Sequence, residues 1–127
     1  MIVGLGADLV EVARMEALLE RWGERAVRRM LAPGERESLA RLPRRAWAPF
    51  VARRFAAKEA AVKALGTGFG DGIGLRQVEV GHDGRGRPLL RLHGTAQARF
   101  EALGATRAHL SIADERGFAL AFVILER

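Results

Sequence analysis

The chain has 127 residues, no cysteine, and 21 Lys or Arg against 15 Asp or Glu. A length of this order holds one hydrophobic core, and the 49% apolar content with a mean hydropathy of −0.01 points to a folded, soluble domain rather than a disordered chain. Disulfides, zinc thiolates and cysteine nucleophiles are excluded, and no apolar run is long enough to span a membrane.

Residues 2–10 form a short apolar run that reads as a strand, with Asp8 near its end. Val12, Met15, Leu18 and Leu19 then recur at helical spacing, and this helix should end near Gly23. A short helix is expected over 24–31. Another starts around Pro33 and stops before Pro43. Residues 47–65 read as the longest helix, with Phe50, Val51, Phe55, Val62, Leu65 and several alanines on its buried side and Gly66 as its cap. After a glycine-rich loop over 66–74, strands over 75–80 and 89–92 flank a turn at 83–88. A helix over 95–103 follows. Strands over 109–113 and 118–125 turn around Glu115-Arg116-Gly117. This order implies an α+β fold of residues 1–127 as one domain, with a mainly antiparallel sheet packed on a long central helix.

Three groups of residues carry candidate chemistry. Glu59 and Lys63 are four apart and share a helix face, with Lys58 beside it. The alanines between them leave room for a ligand or a backbone, and the amides of Gly66, Thr67 and Gly68 are a candidate phosphate wrap. On spacing alone, an ordinary surface ion pair is the better explanation of Glu59 and Lys63, and the context of alanines and glycines is what favours a site. Asp8 ends an apolar strand. It either caps the helix that begins near Glu11 or joins a second carboxylate, such as Glu59, around a hard cation. Arg14, Arg21, Arg25, Arg28 and Arg29 form a basic cluster, read as a solvated face or as a docking surface for an acidic helix or nucleic acid. His82, His93 and His109 lack zinc-ligand spacing, and no nucleophile elbow surrounds Ser111. The net charge of +6 attracts anionic partners of either kind.

The residues resemble one family throughout. The run from Gly6 to Arg14 is similar to the N-terminal signature of holo-[acyl-carrier-protein] synthases, and the run from Arg54 to Gly66 matches their central motif nearly residue for residue. Gly86-Arg87-Pro88, Leu92-His93-Gly94, Ser111-Ile112 and the closing strand resemble the rest in order. The resemblance implies transfer of 4′-phosphopantetheine from coenzyme A to a serine of apo-acyl carrier protein, in support of fatty acid synthesis. It implies Mg²⁺ held by Asp8 and Glu59. Lys63 would meet phosphate and is a candidate for proton transfer, with the general base open among Glu59, Lys63 and a metal-bound water. Lys58, Gly66, Thr67, Gly68 and Ser111 would lie near coenzyme A, and Arg14, with Arg21 and Arg25, would face the carrier protein. It further implies a cytoplasmic homotrimer with active sites between subunits, and neither nucleic acid nor membrane as partner.

One segment departs from the family. Where the family usually reads Ser-x-Ser-His, this chain reads Ser111-Ile112-Ala113-Asp114. Asp114 is expected to weaken coenzyme A binding unless it points away, which motivates an alternative reading as a catalytically weakened member. A small basic RNA-binding domain is the other alternative, opposed by the absence of tyrosine and the 6% aromatic content.

Overall fold

The computed structural model describes all residues from Met1 to Arg127. Strand β1 (Ile2–Glu11) leads into helices α1 (Val12–Trp22), α2 (Glu24–Met30) and α3 (Pro33–Ala40). Helix α4 (Trp47–Leu65) crosses the centre. The ribbon of β2 (Val78–His82) and β3 (Pro88–Leu92) follows, then α5 (Gly94–Ala102), β4 (Arg107–Glu115) and β5 (Phe118–Glu126). The expected elements are all present. The expected strand over 75–80 is shorter, because residues Leu75–Gln77 form a 3₁₀ turn before β2 begins. All strand pairings are antiparallel, but they form two sheets: a three-stranded one in the order β1-β5-β4, and the separate β2-β3 ribbon.

Most of α4 is buried, including Val51, Ala56, Ala57, Ala60, Ala61, Val62 and Leu65. A helix apolar on nearly every side belongs in a core, and this one is packed against the three-stranded sheet. Ala119, Ala121, Val123 and Leu125 alternate along β5 to supply the facing surface. Full burial of each Val or Leu is worth about 1.5–3 kcal/mol.

The approach of β1 to α4 is closer than side chains permit. A Cβ on Gly6 would lie 1.9 Å from the Ala60 carbonyl oxygen, and one on Gly4 would lie 2.2 Å from that of Ala64. Two strand residues rise about 6.6 Å and four helical residues about 6 Å, so the two elements keep step. Gly4, Gly6 and Asp8 share this face of β1, because strand side chains alternate. The contact therefore carries Asp8 to α4.

The opposite face of the sheet is uncovered. Leu5 and Leu9 of β1 (each 61% exposed) project on the same side as Phe118, Leu120 and Phe122 of β5, all exposed. The pairings Leu9 with Leu120 and Glu11 with Phe118 set this alignment.

Gly6→Ala is expected to lower stability by roughly 3 kcal/mol in urea unfolding, since helix backbone cannot yield as a side chain does. Gly84→Ala, with open space around it, should stay within about 0.5 kcal/mol of the parent.

Candidate functional site

Asp8 and Lys63 meet where β1 crosses α4. Lys63 Nζ donates to Asp8 Oδ1 at 2.9 Å and to the Ala7 carbonyl at 3.0 Å. Asp8 does not cap α1: it lies within β1, and Glu11 occupies the N-cap position without a side-chain bond. Glu59, one helical turn before Lys63, completes the group. Burial pushes the Glu59 carboxyl above the usual carboxylate range, and the charge of Asp8 adds to the rise; Lys63 and Arg14 oppose it. Two neighbouring carboxylates, hard oxygen donors with no sulfur or imidazole beside them, fit an ion such as Mg²⁺. The protein offers only this pair here, since no group of three or more His, Cys, Asp or Glu side chains that could hold a metal ion forms anywhere in the chain.

Glu59 also lines a cleft of about 790 Å³, together with Phe55, Phe69, Arg29, Arg76 and Gln77. Two guanidinium groups and one carboxylate at its walls suit an anionic ligand that brings a cation with it. Arg76 and Phe69 carry no signal in the sequence. Phe69 sits inside the glycine-rich loop and Arg76 in the 3₁₀ turn after it, where no periodicity marks a side chain, and only the fold brings both to the cleft.

Arg14 belongs to the site rather than to a separate basic face. Its guanidinium lies 5.3 Å from the centre of the Phe55 ring, beside the cleft, and its charge reaches Glu59. Arg21 and Arg25 instead gather about the exposed Trp22 ring, at 5.1 and 5.8 Å. Arg25 and Arg29 border a second, more apolar hollow of about 460 Å³ floored by Leu18, Ala26 and Met30. Arg28 lends its carbonyl to Arg36.

Two expectations require correction. Lys58 is wholly buried and turned away from the cleft, so a direct contact with a nucleotide is ruled out. Its ammonium bonds Glu35 Oε1 (2.7 Å), the Leu75 carbonyl (2.9 Å) and the Val78 carbonyl. The amides of Gly66, Thr67 and Gly68 do not form an open wrap: they donate to the Lys63 and Val62 carbonyls and close the end of α4. Thr67 Oγ1 is buried without a partner. Ser111 stands opposite Phe122 on the uncovered face of the sheet, whereas Asp8 stands opposite Ala121 on the face toward α4. Within one chain, Ser111 and Asp8 are thus on opposite sides. Asp114 is paired with Arg53 at 3.0 Å, which answers its negative charge. His93 and His109 are engaged by Glu79 and Glu126.

A profile of the 4′-phosphopantetheinyl transferase superfamily matches residues 4–123. The chain belongs to that superfamily. A holo-[acyl-carrier-protein] synthase of Alkalilimnicola ehrlichii is 63% identical over 126 residues, covering 99% of this chain and 98% of the relative. The crystal structure of the holo-[acyl-carrier-protein] synthase from Neisseria meningitidis superposes with a TM-score of 0.91 at 35% identity, covering all of both chains. A holo-(acyl-carrier-protein) synthase from Bacillus anthracis, solved in complex with CoA (3′,5′-ADP), gives 0.81 at 38% identity over 98% of this chain and 96% of that one. The likeness to holo-[acyl-carrier-protein] synthases thus runs along the whole chain.

The raised Glu59 carboxyl has a definite pH consequence. Between the ordinary carboxylate range and its raised value, the folded state keeps a proton that the unfolded state has released, so stability falls as pH rises through that window. Glu59→Gln removes this dependence. In metal-free urea unfolding, the variant should gain on the parent as pH rises from about 4 toward neutrality, and then level off.

Proposed function

We propose that the chain transfers 4′-phosphopantetheine from coenzyme A to a serine of apo-acyl carrier protein and releases 3′,5′-ADP, as fatty acid synthesis requires. The observation that carries this reading is the meeting of Asp8, Glu59 and Lys63 at the edge of a cleft that also presents Arg29 and Arg76. Family membership and the coenzyme A complex of a relative support it. All 127 residues serve as the one transferase domain.

Asp8 and Glu59 are the residues that would hold Mg²⁺, which when bound supplies positive charge to a pyrophosphate. The serine oxygen of the carrier forms a bond to the β-phosphorus, the bridging P–O bond breaks, and its electron pair leaves with 3′,5′-ADP. Arg29 and Arg76 draw the anionic donor into the cleft, and Lys63 neutralises phosphate charge. Lys63 is already a donor to Asp8, so Glu59 is the member of the trio suited to receive the serine proton.

The carrier docks at Arg14, Arg21 and Arg25, where positive charge suits an acidic helix. Copies of the chain associate as a homotrimer through the uncovered face bearing Leu5, Leu9, Phe118 and Phe122, an apolar surface of the kind that seeks a partner. That arrangement also gives Ser111 a purpose: from this face it can meet coenzyme A only at a neighbour's Asp8 and Glu59. No helix is long and apolar enough to cross a membrane, and we place the reaction in the cytoplasm with its carrier. The pairing of Asp114 with Arg53 counts against the weakened-member reading, which rests on the Ala113-Asp114 replacement.

With coenzyme A, Mg²⁺ and an apo-carrier protein, mass spectrometry should find the carrier heavier by one phosphopantetheine. Absence of transfer to every carrier tested would overturn the reading. Asp8→Ala and Glu59→Ala should each lower turnover by about 100-fold or more and abolish the Mg²⁺-dependent rise in melting temperature shown by the parent. The double charge reversal Arg21→Glu/Arg25→Glu should raise KM for the carrier and reduce its salt dependence, leaving KM for coenzyme A unchanged.

A further inference from the structure

Lys58 and Glu35 form the most deeply buried charge pair in the chain, and each is fully used. The three ammonium protons have three acceptors: Glu35 Oε1, the Leu75 carbonyl and the Val78 carbonyl. Glu35 Oε1 also accepts from the Ala32 amide at 2.8 Å, and Oε2 accepts from the Val80 amide at 3.1 Å. Arg54, stacked on Phe50, brings its Nε to 3.7 Å from Oε2. One lysine thus ties α4 to the start of α3, to the 3₁₀ turn and to β2.

Desolvation works against the ammonium and holds Lys58 below the ordinary lysine range, while Glu35 pulls the other way. A pair of this kind is often no more stabilising than apolar side chains of equal volume. Its worth lies in position. The two carbonyls that Lys58 holds bracket Arg76 and Gln77, which line the cleft. The next residue along α4 is Glu59, which lines the cleft from the other side. Gln77 is itself pinned at both ends of its amide, to the Gly72 carbonyl and the Ala96 amide. The wall over 75–78 therefore moves as a unit, and the reach of one lysine side chain sets its distance from Glu59.

We propose that Lys58, balanced by Glu35, is a positioning residue that spaces the Arg76–Gln77 wall from Glu59 and thereby fits the cleft to coenzyme A without touching it. This rests on the reading of the cleft as the coenzyme A site. The role follows from a hidden charge, anchored on Glu35, two of whose three bonds end on the back of a binding wall.

The test compares the parent with Lys58→Met/Glu35→Gln, which removes both charges together, and with Glu35→Asp, which keeps both charges and shortens the link. In each folded variant KM for coenzyme A should rise about tenfold, the lower end of what losing an outer supporting contact costs. Turnover at saturating coenzyme A and KM for the carrier should hold within about threefold of the parent on the same ground. Calorimetric binding of coenzyme A alone should weaken in parallel, and hydrogen exchange should quicken at residues 73–78. A folded variant with parental coenzyme A affinity would overturn the proposal, as would equal losses for coenzyme A and carrier. If the double variant does not fold, the same outcomes in Glu35→Asp support or overturn the proposal. Failure of the parent itself to bind coenzyme A would overturn the site reading, and this inference with it.

Discussion

The backbone contact between β1 and α4 is the constraint on which the rest depends. Gly4 and Gly6 let the strand lie against the carbonyls of Ala64 and Ala60 with nothing between them. That closeness brings Asp8 within reach of Lys63, and it joins a carboxylate from the start of the chain to a motif in its middle. The apolar residues of β5 back the same helix from the neighbouring strand. Packing and chemistry are here one arrangement, because the strand face that supplies the glycines also supplies the acid.

Helix α4 then divides its two lysines between different tasks. At 100° per residue, Lys63 follows Glu59 within about 40° of the same direction, while Lys58 lies about 140° from Lys63. One lysine is half exposed and meets a carboxylate at the site; the other is sealed in the core and meets Glu35. The same charge is treated in two ways according to its hydration. The exposed pair can exchange partners at little cost, whereas the buried pair cannot lose one member without stranding the other.

Much of this is legible in the order of residues alone. The bounds of α4, the two hairpins and the glycine stop at Gly66 follow from periodicity and local turn chemistry. The pairing of Glu59 with Lys63 on one face is a matter of spacing, and the family resemblance directs attention to Asp8. Lys58 is not legible, because its partner lies 23 positions away and nothing local distinguishes a buried lysine from an exposed one. The glycine loop misleads for a related reason. A run of amides looks free until the helix end beside it is seen to claim them. The split into two sheets depends on pairings between distant strands that alternation cannot assign.

The glycine–alanine contact has a consequence for how such chains diverge. The strand side of it cannot enlarge, because a methyl there meets helix backbone. Gly4 and Gly6 are thus held to one residue type as firmly as any acid that touches a ligand. A comparison of relatives that ranks positions by invariance would place these inert residues beside Asp8 and Glu59. Chemistry and geometry would leave the same trace at such positions, and only the atoms each residue meets tell them apart.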